Sequence, residues 1–520
     1  MVARSCHSLG AQSMSCNDKI YLLSIDIGTT HTKAILYQRC IGIIGQETES
    51  YATYYPRPSF VEQDQDEVFS AVLKTTFRLM NNSLVSPHTI AAIVFGGIWQ
   101  SLIPVDRKGN ALCRATTWAD TRSIAQNERL KAHLDTEEVK QRTGCTLHPM
   151  YFLSRLAWIR DETPDVYKHA ARFISIKEYI IDRLFGAHLV DHSIASGTGI
   201  WNMQAMDWDF DLLSEIDLTP DRFSESVEPI SIIPGGLRRE YASRLGLLEG
   251  TPGVIGASNG ALSHLGSVGL ATDRISLTVG TGAALRRRML SPRVIPGSEA
   301  WCYYLADGNW LLGGVLHNAG NVLHWFADNL MPPAKVEDEV FSQMNQLAAE
   351  TSAGADGLFF IPLLSGERCP HYRPDAKGVI FGLTFSHCRN HLVRALMEGL
   401  AYNLYSVYQM LTPDSEPELV VTGGILKSPV WLKIVANFFG KTLWLPRIQE
   451  VAAWGGVILG LRAIGALSSL EESVNLVDVA GKQDPDLENR KFYRDLIAEY
   501  DRLNTKIYSL VSKKNKKEIL

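Results

Sequence analysis

Twice in this sequence a short apolar run reads as a strand and stops at a glycine–threonine turn. Residues 20–27 end in Gly28-Thr29-Thr30, and a second apolar stretch from Lys33 to Tyr37 follows at once. Residues 275–279 end in Gly280-Thr281-Gly282, again with an apolar stretch behind them from Ala283. Strand, glycine turn and strand make a β-hairpin. Gly28 and Gly280 are 252 positions apart in a chain of 520 residues. A third strand, entering Thr422-Gly423-Gly424, precedes a helix from about Pro429. Two similar α/β units facing across a cleft would bring all three turns together. The spacing therefore predicts a polar lead over residues 1–20, one domain over 21–268, a second over 269–465 and a helical tail over 466–520.

The chemistry of these turns suits phosphate. Glycine permits a tight turn and a close backbone approach, and amides and threonine hydroxyls can point at phosphate oxygens. Asp26, at the end of the first strand, can hold Mg2+ through water. One such turn alone is most often an ordinary hairpin. Three of them, ordered and each at a strand end, reverse that reading. The chain has no G-x-x-x-x-G-K-[ST] segment and no H-R-D loop, which disfavours the P-loop and protein-kinase routes to phosphoryl transfer.

Between the turns, helical periodicity marks residues 67–80, 150–160 and 177–184, with a strand over 89–95, so the architecture is mixed α/β. Composition narrows the class further. With 46% hydrophobic and 21% charged residues, disordered, collagenous and coiled-coil chains are excluded. Fifty-one basic against 56 acidic residues leave a net charge of −5, which gives no whole-protein attraction to nucleic acid or an anionic membrane. The basic run Lys513-Lys514-Asn515-Lys516-Lys517 reads as a solvated tail. Eight cysteines without a C-x-x-C pair suggest neither a disulfide framework nor a zinc site. No signal peptide and no membrane-spanning run are expected, so the sequence reads as cytoplasmic.

The segments Ser24–Thr30, Trp118-Ala119-Asp120-Thr121-Arg122, Leu364–His371 with Arg394–Leu400, and Thr422–Ser428 carry a resemblance. Together they are similar to the FGGY family of carbohydrate kinases, over about residues 21–462. The resemblance implies an α/β fold of two ribonuclease-H-like domains, of the actin and hexokinase type, flanking an ATP/sugar cleft. It implies ATP- and Mg2+-dependent phosphorylation of a sugar, polyol or sugar-acid hydroxyl. Within the family, Arg142–Met150 and Lys177-Glu178-Tyr179 look most similar to gluconokinases, which favours a gluconate-like acceptor. By the same resemblance, Asp26 assists the metal. Thr29, Thr30, Lys33, Gly280, Thr281 and Gly282, with Gly28, meet the phosphates. Gly423, Gly424 and Ser428 lie beside adenosine, and Trp118 and Asp120 line the sugar site with Trp99 and Gln100. The implied partners are a small-molecule substrate and a second copy in a homodimer, without nucleic acid or membrane. An actin- or chaperone-like ATPase shares the glycine turns, but Trp118-x-Asp120-x-Arg122 and Gly366-Glu367-Arg368 speak against it.

The weightiest departure is Asn259, in Gly256-Ala257-Ser258-Asn259-Gly260. The family carries its general base there as an aspartate. An amide can orient a hydroxyl but cannot take its proton, and loss of a positioned base costs on the order of 10²–10⁴ in rate. Four readings stay open: a slow kinase, a base supplied by another acid with Asp120 nearest, a sugar- or nucleotide-binding pseudo-kinase, and a residue introduced to trap a complex. A second departure is Trp99-Gln100, where similar kinases often carry Met-His; Trp99 either stacks on a sugar or fills the core. His264 is read as packed, Glu367 and Arg368 as a structural ion pair, and Asp191 as structural. Of Arg286-Arg287-Arg288, at most one or two can face a ligand, because neighbouring strand residues point to opposite sides.

Overall fold

A computed structural model describes residues 20–332 and 336–515. The polar lead, apart from Ile20, and the basic residues Lys516 and Lys517 lie outside the described residues. Strand β1 (Tyr21–Ile27) pairs antiparallel with β2 (His31–Gln38), and β2 with β3 (Gly42–Ser50). On its other side β1 runs parallel to β4 (Ile90–Gly97). Strands β5 (Ile232–Ile233) and β6 (Gly253–Val254) complete a six-stranded sheet in the order β5-β6-β4-β1-β2-β3. Side chains alternate along a strand, so a run apolar at successive positions must be covered on both faces. Leu23 and Ile25 pack under helices α1 (Gln65–Ser83) and α3 (Ile176–Phe185). Leu22 and Val94 face the other way, into the apolar residues of α5 (Asn259–Val268) and α9 (Val451–Ala463). The three periodic segments form α1, α2 (Phe152–Glu162) and α3. Asp64 caps α1, and a Ser175/Glu178 capping box starts α3.

The second half repeats the local order. Strand β7 (Arg274–Val279) pairs antiparallel with β8 (Ala283–Met289) and parallel with β11 (Glu418–Gly423). Strands β9 (Trp301–Ala306), β10 (Asn309–Leu316), β12 (Leu443–Pro446) and β13 (Val479–Gln483) extend it to seven, in the order β9-β10-β8-β7-β11-β12-β13. The turns at Gly28 and Gly280 thus occupy equivalent places: each joins a central strand to its antiparallel partner, beside a parallel strand. This is the expected duplicated α/β fold. Helices α6 (Gly320–Leu330), α7 (Arg389–Leu411) and α8 (Pro429–Phe439) belong to this half.

The C-terminal stretch differs from an appended helical tail. Helix α10 (Arg490–Asn515) is present, but β13 precedes it as an edge strand. Tyr493, Leu496, Ile497, Tyr500 and Leu503 are buried in the second core. Their three- and four-residue spacing makes one apolar face, which explains why the helix docks. Among the described residues no helix is long and apolar enough to cross a membrane.

Helices α5 and α9 cross at backbone contact. A Cβ on Gly455 would lie 2.0 Å from the Leu262 carbonyl oxygen, one on Gly266 1.9 Å from that of Val451, and one on Gly456 2.2 Å from Ser24 Oγ. Only glycine fits such approaches. A helix from late in the sequence is thereby seated on the first sheet.

Candidate active site

The two glycine turns open onto a pair of cavities that meet at Gly280, one of about 280 Å³ and one of about 700 Å³. Asp26 stands at the end of β1, paired in register with Gly96 and Lys33. Its Oδ1 is buried and has no hydrogen-bond partner among the described residues. Burial pushes its carboxyl up to about 6, against the pull of the Lys33 ammonium. An orphaned carboxylate oxygen beside a phosphate-type turn fits Mg2+ or a water on it. The described residues contain no cluster of three His, Cys, Asp or Glu that could hold a metal alone. Mg2+ ordinarily takes one or two carboxylates and leaves the remaining positions to phosphates and water.

At the first turn the Gly28 amide donates to the His31 carbonyl at 3.0 Å. Thr29 lines the smaller cavity and its hydroxyl accepts from Trp118 Nε1 at 3.2 Å. The exposed Thr30 hydroxyl is bonded to His31 Nδ1 at 2.9 Å. Lys33 does not reach out to the turn, because its ammonium is ion-paired with Glu450, immediately before α9. Gly280 and Thr281 line the larger cavity with Gly424, Ser428 and Trp431. Gly423, at φ +92, lets β11 end against β7, where a Cβ would lie 2.3 Å from the Val279 carbonyl oxygen. Ser428 caps α8 by accepting from the Trp431 amide at 3.2 Å and donates to Asn345 Oδ1.

The smaller cavity has an aromatic wall. Trp301 and Tyr303 stack with centroids 4.1 Å apart, and Trp99 lies 4.9 Å from Tyr303. Trp99 both lines the cavity and fills the fold behind it: its Nε1 donates to the Ser193 carbonyl at 2.8 Å, and its ring covers Gly260. Gln100 also lines the cavity, its Nε2 donating to the Gly197 carbonyl at 2.9 Å. Asn259 opens α5 at the cavity wall, behind the Ser258 cap. Ser258 is tied to Ser193 through their hydroxyls at 2.9 Å. Behind Ala257 lies a buried ion pair, Lys177 Nζ to Asp191 at 2.7 Å, with Lys177 also donating to the Ala257 carbonyl at 3.3 Å. Asp191 also caps the short helix α4 (His192–Ser196).

The charge in this cavity is one-sided. Arg286 and Arg368 line it, and among its described lining residues there is no Asp or Glu. Arg286 is buried, its guanidinium donates to Thr278 Oγ1 at 3.3 Å, and its Nε has no partner among the described residues. Burial alone pulls it down to about 10. Arg368 is also buried, donating to Tyr151 Oη at 3.2 Å and contacting Met150 Sδ. Of the three consecutive arginines, only Arg286 faces the cavity. Arg287 donates to the Leu411 carbonyl, and Arg288 is paired with Glu471 and Asn309.

Three expectations need correction. Asp120 does not line the cavity: it is fully buried, and its carboxylate accepts from the Val61 amide at 2.7 Å and from Arg122 Nη2 at 2.7 Å. A carboxylate so engaged is neither a sugar contact nor a free base. Glu367 and Arg368 do not pair with each other. Glu367 pairs with Arg373 across a single isolated β-bridge, which turns the adjacent Arg368 the opposite way. Lys33 is spent on Glu450, as described. His264 is packed, with Nδ1 at 2.9 Å from Ser276 Oγ. Sequence reasoning missed His317, which follows β10 and lines the smaller cavity. Burial and the Arg368 charge pull it down to about 4. Nothing in its local sequence marks it; only the pairing of Leu316 with Ala283 brings it to the turn.

Comparison with known proteins agrees with this architecture. Residues 21–266 match the N-terminal domain of the FGGY family of carbohydrate kinases, and residues 276–464 match its C-terminal domain. A gluconokinase from Bacillus subtilis is 36% identical over 485 residues, covering 92% of this chain and 94% of that protein. A glycerol kinase from Stenotrophomonas maltophilia is 28% identical over 87% of this chain and 91% of that protein. The crystal structure of a gluconate kinase from Lactobacillus acidophilus superposes with a TM-score of 0.88 at 28% identity, covering 94% of this chain and 98% of that one. Both halves of the fold, both cavities and the extent of these matches lead to one conclusion: the chain belongs to the FGGY family of carbohydrate kinases and is an enzyme of that class.

Proposed function

We propose that this chain transfers the γ-phosphoryl group of ATP to a hydroxyl of a sugar acid, with gluconate the favoured acceptor. The observation that carries the reading is Arg286, a buried guanidinium facing the smaller cavity with no acid among the described lining residues to neutralise it. A buried charge without a partner is costly and calls for an opposite charge in the bound state. A carboxylate supplies one; a neutral polyol does not. The gluconokinase among the relatives is consistent with this choice.

In this reading adenosine occupies the larger cavity beside Gly424 and Ser428, and the phosphates lie along Gly28–Thr30 and Gly280–Gly282. Asp26 faces Mg2+, which would neutralise charge on the transferring group. The acceptor lies against Trp99 with Trp118 and Gln100 at its edges, and the Asn259 amide orients its hydroxyl. Asn259 itself favours a second reading, a protein that binds sugar acid and nucleotide without turnover.

ADP release with gluconate, and with a neutral polyol of similar length, tests both readings. The expected result is turnover of gluconate, with kcat/KM falling on the order of 10²-fold in Arg286→Leu, the loss typical of one partner of a buried charge pair. The residual rate on the neutral polyol should be unchanged by that substitution. Equal losses on both substrates would remove the carboxylate assignment. Gluconate binding without ADP release would favour the second reading.

A further inference from the structure

The geometry points to His317 as the general base of this kinase, standing in for the carboxylate the family carries at Asn259. The inference rests on the sugar-acid kinase reading and answers what that reading leaves open: where the acceptor proton goes.

Position is the main argument. His317 follows β10, whose last residue pairs with Ala283 directly after the second phosphate turn. A Cβ on Gly282 would lie 2.7 Å from the Leu316 carbonyl oxygen and 4.0 Å from His317 Cα, so this backbone touches the turn. The His317 ring lies 6.0 Å, centroid to centroid, from Trp118, whose indole N–H donates to Thr29 of the first turn. The next residue holds the segment in place. Asn318 donates to the Gly366 carbonyl at 2.6 Å, and its Oδ1 accepts from the Ser365 amide at 3.0 Å. That loop also carries Arg368. His317 is therefore fixed where both phosphate turns meet the acceptor cavity, which is where hydroxyl and γ-phosphorus must approach.

Elimination is the second argument. Among the cavity's lining side chains, amides, guanidinium groups and the Tyr303 phenol do not take a proton near neutral pH. Asp120 is consumed by Arg122. Asp26 does not line this cavity and belongs to the metal. An imidazole kept neutral by burial and by Arg368 has a free lone pair at neutral pH. The negative charge of the transferring group would raise its proton affinity during the step. The acceptor oxygen attacks the γ-phosphorus as its proton passes to an imidazole nitrogen. The bond from that phosphorus to the bridging oxygen breaks, and ADP leaves with the electron pair.

The test is a four-way comparison of native protein, His317→Gln, Asn259→Asp and the double variant. Gluconate-dependent ADP release is measured beside gluconate and nucleotide binding by calorimetry. The expected result is a loss in kcat on the order of 10²–10⁴ for His317→Gln with binding within a few-fold of native. Asn259→Asp should restore most of that rate in the double variant. Unchanged turnover in His317→Gln, or a loss that Asn259→Asp does not rescue, overturns the assignment while leaving the kinase reading intact. A native protein that is silent with gluconate, while Asn259→Asp turns over, overturns the kinase reading itself and this inference with it.

Discussion

Asp26→Asn is expected to abolish most turnover and to stabilise the protein at alkaline pH in the same molecule. The folded-state carboxyl titrates at about 6 against 3.8 for the ordinary group. Between those values the folded protein holds a proton that the unfolded chain releases, so stability falls as pH rises through that window. Above about pH 6 the full cost is present, about 3 kcal/mol at 1.36 kcal/mol per unit. Asparagine keeps the shape and removes the charge. Urea midpoints should therefore lie higher for Asp26→Asn than for the native protein at pH 8, and converge below pH 4. Losing the carboxylate proposed to face Mg2+ should lower kcat on the order of 10²–10³, the scale of one preorganised electrostatic contact. Equal midpoints at pH 8 would show that the carboxylate carries no burial cost.

Lys177→Met is expected to have the largest effect on folding. Lys177 and Asp191 are each about 1% exposed at the side chain and lie 2.7 Å apart. Removing one member of such a pair leaves the other charged and buried, at about 3–5 kcal/mol. The Ala257 carbonyl, two residues before Asn259, loses its donor as well. The unfolding free energy from denaturant titration should drop by that amount, and the remaining folded fraction should show weaker turnover of the proposed gluconate acceptor. Adding Asp191→Asn neutralises the stranded charge while keeping an oxygen for the Ile194 amide, which Asp191 caps at 2.9 Å. The double variant should recover a large part of the loss. No recovery would mean that the lysine acts through packing alone, since its aliphatic stem also covers Gly97.

Local chemistry was legible in the sequence; partners distant along the chain were not. The glycine turns, the strands that feed them and the periodic segments that become α1, α2 and α3 are written in a few adjacent residues. Asn259 and Trp118 stand out for the same reason, because their neighbours carry the motif. Lys33 looks free until Glu450 arrives from 417 positions away. Asp120 looks like a ligand until the Val61 amide, from 59 positions away, closes on the carboxylate that Arg122 already holds. Alternation showed that the three arginines could not act together, yet it cannot separate Arg286 from Arg288, which share a face. That choice was made by Glu471, from the far end of the chain. His317 has no local mark because its importance comes from strand pairing.

The crossing of α5 and α9 also bears on how the chain is made. The first sheet and α5 are complete by Val268, but the helix that covers their outer face begins only at Val451. At ordinary translation rates the ribosome needs about 10–40 s to bridge that gap. Throughout it, Leu22, Val94 and Leu262 have no lid, and the glycine seats at Gly266 and Ser24 stay empty. The N-terminal half thus keeps an apolar face uncovered during synthesis, and its native packing closes only when nearly the whole chain has been translated.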